Sequence, residues 1–133
     1  MKYDLLLKNT MILNPDGNVT EGQYLAIKDR RIARITSDVV PDFMAAQVLD
    51  CTGKLTMPGM VDGHTHTSQQ LLRVRLADEY PMIWTRFLVP FESTLRSDDV
   101  YYSALLYCIQ AIKAGITGFA ESGGRFMERT IQA

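Results

Sequence analysis

The two histidines of the chain are the residues whose type and spacing best suit chemistry. They stand two positions apart, as His64 and His66. In an extended strand, residues i and i+2 point to the same face, so both imidazoles could reach one metal ion while Thr65 points away. Neutral imidazole is the commonest nitrogen ligand of Zn²⁺ and similar ions. The spacing therefore predicts a metal site, although so short a pattern also occurs in histidine pairs with no ligand role.

The residues before this pair place it at the end of a strand. Residues 57–66 read MPGMVDGHTH, in which residues 60–64 are expected to form a short buried strand that runs into a polar loop. In αβ barrels, the active site lies at the C-terminal ends of the strands. The segment resembles the first-strand motif of the amidohydrolase superfamily, a group of metal-dependent (β/α)8 hydrolases. By this resemblance His64 and His66 bind the catalytic metal, which is Zn²⁺ or, because the same ligands suit them, Fe²⁺ or Mn²⁺.

Three further segments narrow the resemblance to one branch of that superfamily. Residues 71–73 (LLR), Trp84 and residues 90–92 (PFE) are similar to the aminohydrolases that act on heterocyclic rings. That branch includes deaminases of S-adenosylhomocysteine, methylthioadenosine and guanine, together with triazine chlorohydrolases. The resemblance implies hydrolytic deamination of a small-molecule ring, at a C–N bond that is not a peptide bond, by metal-activated water. Val74 departs from the branch, which usually has Gly at that position.

Glu92 and Trp84 are the candidate substrate-binding residues that this resemblance implies. Glu92 stands where the deaminases contact the sugar or ring of their substrate, and the alternative is a solvated charge before a helix. Trp84 is expected to pack the wall of the site rather than to touch the substrate. Glu121, at the end of a second strand, could face the barrel mouth or be a plain loop carboxylate.

The first 57 residues read as a small β unit. Short strand-like runs alternate with turn residues. The runs are Tyr3–Lys8, Met11–Leu13, Tyr24–Lys28, Ile32–Ile35, Val48–Asp50 and Lys54–Thr56. The pattern predicts an antiparallel sheet with a hairpin over residues 23–36. By resemblance, residues 1–57 form the N-terminal part of a composite β-sandwich.

Residues 58–133 alternate between strand and helix patterns, which predicts an α/β fold with parallel strands. Ser97 is the expected N-cap of the clearest helix, and Gly115 ends it. The apolar positions of that helix are Tyr101, Leu105, Cys108 and Ile112. Short helices are expected over residues 68–75 and 82–88, and a second strand over residues 116–120. By resemblance, this part is a partial (β/α)8 TIM barrel of about two βα units.

The chain is too short for the whole site that the resemblance implies. A (β/α)8 barrel takes roughly 250 residues, and zinc sites normally use three or four protein ligands. The chain has no third histidine. We therefore expect an N-terminal, truncated fragment that is inactive alone and that forms a homo-oligomer or associates with the missing C-terminal part. The alternatives are a non-catalytic interaction module derived from such an enzyme, and an unrelated α/β domain.

Composition excludes several other classes of protein. Lys and Arg number 14 against 15 Asp and Glu, so the net charge is −1, which disfavours a nucleic-acid partner. No apolar run approaches the roughly 20 residues of a membrane span, and the first residues carry charge too early for a signal peptide. Cys51 and Cys108 form no metal or disulfide motif. These features predict a cytoplasmic protein with no membrane partner.

Overall fold

The computed structural model describes residues 2–75 and 82–133 of the chain. The chain folds into two compact units that meet in sequence between Pro58 and Gly59. Both units combine strands with helical turns or helices, so the fold belongs to the mixed α/β class. In the described part of the chain, no helix is long and apolar enough to cross a membrane.

The first unit is built on one five-stranded sheet. Its strands are β1 (Tyr3–Leu13), β2 (Val19–Lys28), β3 (Arg31–Thr36), β4 (Ala45–Asp50) and β5 (Leu55–Thr56). The order is β3-β2-β1-β4, and β5 pairs with β1 beyond the end of β4. The hairpin of β2 and β3 is antiparallel as predicted. The expectation of a wholly antiparallel sheet is wrong, because β4 and β5 both run parallel to β1.

Strand β1 is longer than its sequence pattern predicts. Tyr3–Lys8 and Met11–Leu13 are parts of one strand, which continues through Asn9 at a backbone φ of 58°. Asparagine tolerates this left-handed conformation better than most residues. The pairing of β1 with β2 shifts register between Leu7 and Thr10, so the irregularity at Asn9 interrupts the regular pairing without ending the strand.

The core of the first unit is small. Leu6 is fully buried at the centre of a cluster with Ala26, Val40 and Ala45. Thr10 is also fully buried, and its hydroxyl lies 2.6 Å from the hydroxyl of Thr56. This polar contact satisfies a buried group while it joins β1 to β5.

The second unit contains the predicted strand–helix–strand arrangement. Strands β6 (Met60–Thr65) and β7 (Ile116–Glu121) pair in parallel, which confirms the parallel βαβ prediction. The other elements, in chain order, are a 3₁₀ helix (Thr67–Leu72), a π-helical turn (Trp84–Leu88), α1 (Val89–Thr94), α2 (Ser97–Lys113) and α3 (Met127–Gln132). The π-helical turn lies within the helix expected over residues 82–88, and α1 follows it without a break.

Helix α2 begins at Ser97, but Ser97 is not its N-cap. Arg96 occupies the cap position with extended backbone angles, and the Asp99 carboxylate accepts a 2.8 Å hydrogen bond from the Arg96 backbone N–H. The predicted end at Gly115 is confirmed, because Gly115 follows the helix with a φ of 79°. Glycine adopts this left-handed conformation without the steric penalty of a side chain.

The buried face of α2 differs from the apolar set that the sequence predicts. The buried residues are Val100, Ser103, Ala104, Tyr107 and Ala111. Small residues on this face allow close approach to the neighbouring backbone. Ile109 and Ile112, in contrast, are 50% and 75% exposed. Cys108, Ile112 and Phe119 belong to the lining of an open apolar groove on this side, with a volume of about 460 Å³.

Candidate metal centre

The two histidines lie side by side at the C-terminal end of β6. His64 belongs to the strand and His66 follows it directly, with the buried Thr65 between them. The ring centroids are 5.1 Å apart and the rings are nearly perpendicular, at 79°. The i and i+2 spacing therefore brings both imidazoles to one side of the strand. This is the juxtaposition that two ligands of one ion need.

The ring nitrogens of the pair have different surroundings. The hydroxyl of Ser122 lies 3.0 Å from Nδ1 and 3.4 Å from Nε2 of the exposed His64. Nδ1 of His66 is buried and has no hydrogen-bond partner. An unpaired polar atom in the interior is unfavourable, and such atoms are uncommon in folded proteins. Two adjacent imidazoles, one with an orphaned nitrogen, are a donor set that fits a divalent transition-metal ion.

Asp62 connects this end of β6 to helix α2. Its Oδ1 accepts a 3.1 Å hydrogen bond from the backbone N–H of His64, and its Oδ2 accepts a 2.8 Å bond from the Tyr107 hydroxyl. The Tyr107 hydroxyl, followed by the His64 N–H, lowers the pKa of the Asp62 carboxyl. Burial, followed by the bond to Asp62, raises the pKa of the Tyr107 hydroxyl. Sequence reasoning missed both residues, because they lie 45 positions apart.

Residues at the end of β7 form hydrogen bonds with the backbone around and after the histidines. Oε2 of Glu121 accepts a 2.9 Å hydrogen bond from the backbone N–H of Thr67, and the Ser122 N–H donates to the Thr65 carbonyl at 2.9 Å. On the other side, the fully buried Ser103 hydroxyl donates to the Thr67 carbonyl at 2.7 Å. Glu121 thus binds a main-chain amide beside the histidine pair.

Glu92 lies close to the 3₁₀ helix that begins one residue after His66. It is half-buried in α1, and its Oε1 accepts hydrogen bonds from the Ser68 hydroxyl at 3.1 Å and from Gln69 Nε2 at 2.8 Å. Two donors from consecutive residues fix the position of this carboxylate. Neither Ser68 nor Gln69 carries a sequence signal that pairs it with Glu92.

Trp84 lies beside the second histidine. Its ring centroid is 5.8 Å from that of His66, at an interplanar angle of 55°, and the residue is 49% exposed. The indole therefore covers one side of the imidazole while the rest of its surface stays open. A role in binding substrate stays a prediction for both Trp84 and Glu92.

Among the described residues, the histidine pair is the set of side chains that could share a metal ion. Across residues 2–75 and 82–133, no group of three or more His, Cys, Asp or Glu side chains is placed to hold a metal ion. Glu92 and Glu121 bind hydrogen-bond donors of the protein instead.

The family of the chain follows from comparison with known proteins. A model of the amidohydrolase family matches residues 55–133, which is more than half of the chain and includes both histidines. The chain belongs to the amidohydrolase family. This confirms the family that the segment of residues 57–66 predicts.

Curated amidohydrolases resemble most of the chain, but the chain spans less than a third of their length. A 5-methylthioadenosine/S-adenosylhomocysteine deaminase of Acetivibrio thermocellus is 36% identical over 124 residues, 89% of this chain and 28% of the relative. A 5'-deoxyadenosine deaminase of Methanobrevibacter smithii is 38% identical over 125 residues, 88% of this chain and 27% of the relative. Both names fall within the predicted ring-deaminase branch.

Solved structures show the same fold. The crystal structure of an adenosine deaminase from Xanthomonas campestris with bound zinc has a TM-score of 0.80 to this chain at 22% identity. The match covers 98% of this chain and 32% of that protein. The mixed α/β fold of the chain is therefore similar to that of solved amidohydrolases.

Proposed function

We propose that this chain provides the first part of the active site of a metal-dependent deaminase that hydrolyses the amino group from an adenine-type nucleoside. The observation that carries the proposal is the pair of adjacent imidazoles, 5.1 Å apart, at the end of β6 in a chain of the amidohydrolase family. The substrate class comes from the relatives, which are named as deaminases of methylthioadenosine, S-adenosylhomocysteine and 5'-deoxyadenosine.

His64 and His66 would hold the metal ion. Zinc is the first candidate, because the similar adenosine deaminase of Xanthomonas campestris has zinc bound, and Fe²⁺ or Mn²⁺ would suit the same ligands. A divalent ion bound there lowers the pKa of water, which makes water a nucleophile near neutral pH.

Glu92 would contact the substrate, and Trp84 would form a wall of the substrate-binding site. Ser68 and Gln69 both donate to Oε1 of Glu92, which fixes the carboxylate in one orientation. An ionised carboxylate only accepts hydrogen bonds, so its partners in a nucleoside would be donor groups of the sugar or of the ring. The Trp84 ring covers one side of His66 and would exclude water from it.

The two units would be parts of larger domains. We assign residues 1–57 to the N-terminal part of a composite β-sandwich, which the five-stranded mixed sheet supports. We assign residues 58–133 to the first βα units of a (β/α)8 barrel, which the parallel pairing of β6 with β7 around α2 supports. In such a barrel the histidines would stand at the catalytic ends of the strands.

Catalysis would require further ligands from outside the described residues. A catalytic zinc ion normally has three protein ligands, whereas the histidine pair supplies two. The chain alone would therefore be inactive. The exposed apolar side chains of Ile109 and Ile112 favour association, either with another copy or with a polypeptide that corresponds to the remainder of the longer relatives, of which the match covers 28%.

Zinc titration of the chain tests the metal site directly. Without a histidine tag the chain contains two imidazoles, so side-chain nitrogen NMR spectra report on just these two rings. We expect both rings to shift together as Zn²⁺ is added. H64A or H66A should weaken binding by about tenfold or more, whereas the exposed control K113A should leave it unchanged. A titration in which neither ring responds would contradict the metal site.

An activity assay tests the deaminase and the requirement for further ligands. Ammonia release from methylthioadenosine and S-adenosylhomocysteine is measured for the chain alone and for the chain mixed with the remainder of the Acetivibrio thermocellus deaminase. We expect turnover only in the mixture, together with a complex detected by light scattering, and loss of turnover with H64A. Turnover by the chain alone would refute its inactivity. If H64A changes neither turnover nor zinc binding, the interaction module becomes the better description.

A further inference from the structure

Asp62 and Tyr107 form a bridge between the histidine strand and the middle of α2. Tyr107 is buried, with its ring packed edge to face against Phe119 at 4.9 Å. Its hydroxyl donates to one oxygen of Asp62, and the other oxygen accepts the backbone N–H of His64. One carboxylate therefore joins a helix side chain to the main chain of a candidate metal ligand.

The bridge lies where the strand is irregular. In the pairing of β6 with β7, Asp62 stands opposite Phe119 and Thr65 stands opposite Glu121. Three steps along β6 thus match two along β7, as in a β-bulge, and the extra residue lies at Gly63 or His64. A bulge leaves main-chain groups without their partners in the ladder. At this point the Asp62 carboxylate accepts a hydrogen bond from the backbone N–H of His64.

The bulge decides where the imidazoles point. Side chains alternate along a regular strand, and a shift of one residue moves a side chain to the other face. With the extra residue in place, the Asp62 carboxylate reaches α2, Thr65 is buried, and the His64 and His66 rings lie together on the other side. Holding the bulge therefore holds the backbone from which the His64 ring projects.

We propose that Asp62 and Tyr107 are positioning residues of the metal centre, which act by fixing the backbone of His64 so that its ring stays beside that of His66. This inference rests on the proposed function for its purpose, because the pair matters only as metal ligands. The tyrosine hydroxyl, rather than its ring, carries the effect. A phenylalanine could pack against Phe119 equally well but could not bind Asp62.

The test compares two identical substitutions on the same helix. Y107F removes the hydroxyl that binds Asp62, and Y102F removes the hydroxyl of a tyrosine that is 63% exposed. We expect Y107F to weaken Zn²⁺ binding by about tenfold, and to weaken the ring-to-ring nuclear Overhauser effect between His64 and His66 in the metal-free chain. Y102F should change neither. Y107F with unchanged zinc affinity and an unchanged ring-to-ring effect would overturn the proposal.

A double-variant cycle separates positioning from a general loss of structure. D62A removes both carboxylate oxygens, so the Tyr107 hydroxyl and the His64 N–H lose their shared acceptor. If the two residues act as one bridge, D62A/Y107F should weaken zinc binding no more than D62A does alone. Effects that multiply would show that Tyr107 acts elsewhere, which refutes the bridge.

Two measurements on the unchanged chain keep the outcomes distinct. Slow hydrogen exchange at the His64 amide is expected, because that N–H is bonded to Asp62, and an amide as fast as an open loop refutes the bridge even if Y107F does not fold. If the NMR signals of both imidazoles stay unshifted when Zn²⁺ is added to the unchanged chain, the proposed function fails. The ring-to-ring effect in Y107F still decides whether the bridge positions the pair.

Discussion

Replacing Gly59 by alanine should destabilise the second unit through one contact at the start of its parallel sheet. A methyl group at Gly59 would lie 2.1 Å from Oγ1, 2.3 Å from Cγ2 and 2.7 Å from Cβ of Thr117. Thr117 is exposed, so rotation can relieve the first two overlaps. The third involves an atom fixed to the backbone, and the strands must therefore move. We expect G59A to lower the free energy of unfolding by about 2 kcal/mol, within the usual range for overpacking.

The assay is urea unfolding followed by the fluorescence of Trp84, the single tryptophan, which belongs to the second unit. G63A is the matched control, because a methyl group there meets nothing within 4 Å, and it should change stability by less than about 0.5 kcal/mol. In a T117A background G59A should still cost more than about 1 kcal/mol, since Cβ remains. In a T117G background the cost should disappear. Equal costs of G59A in all three backgrounds would refute the reasoning.

Two further predictions concern other contacts. S103A should destabilise the second unit by about 1–3 kcal/mol, because the Thr67 carbonyl loses its buried 2.7 Å hydrogen bond. The control S93A, at an exposed serine, should change the unfolding midpoint reported by Trp84 fluorescence little. Equal shifts of the midpoint in S103A and S93A would contradict this prediction. The Lys28 ammonium, and then the Asp29 N–H, lower the pKa of Asp4 below its usual 3.8. The stability that the Asp4 carboxylate contributes is therefore complete above pH 3.8, and it is lost as the pH falls through the lower pKa of the folded state. D4N should therefore flatten the acid dependence of β1 amide exchange, and an unchanged slope would contradict the assignment.

The sequence predicted those features of the fold that depend on neighbouring residues. The hairpin of β2 and β3, the end of α2 at Gly115 and the adjacency of His64 and His66 all follow from local periodicity or turn chemistry. The family follows from one short segment, residues 57–66, because the order of its glycine, aspartate and histidine residues is distinctive.

Features set by distant partners could not be predicted in the same way. Strand β4 pairs with β1 in parallel, and the residues of β4 do not indicate the direction in which the strand runs. Cap preferences favour Ser97, yet the Asp99 carboxylate satisfies the Arg96 N–H and places the cap one residue earlier. The buried face of α2 follows small residues such as Ala104 and Ser103 rather than the largest apolar ones. Each outcome depends on packing that no local pattern encodes.

The bulge in β6 also limits how this segment can vary among homologues. Substitutions between Asp62 and Thr65 leave the count of residues unchanged, and the three-against-two match with β7 survives them. Loss of the Thr65 codon would make the two histidines neighbours in sequence, and their imidazoles would then point to opposite faces of the sheet. The length of the segment should therefore be as strongly constrained as the identities of Asp62 and the two histidines, because insertions or deletions there would separate the candidate ligands.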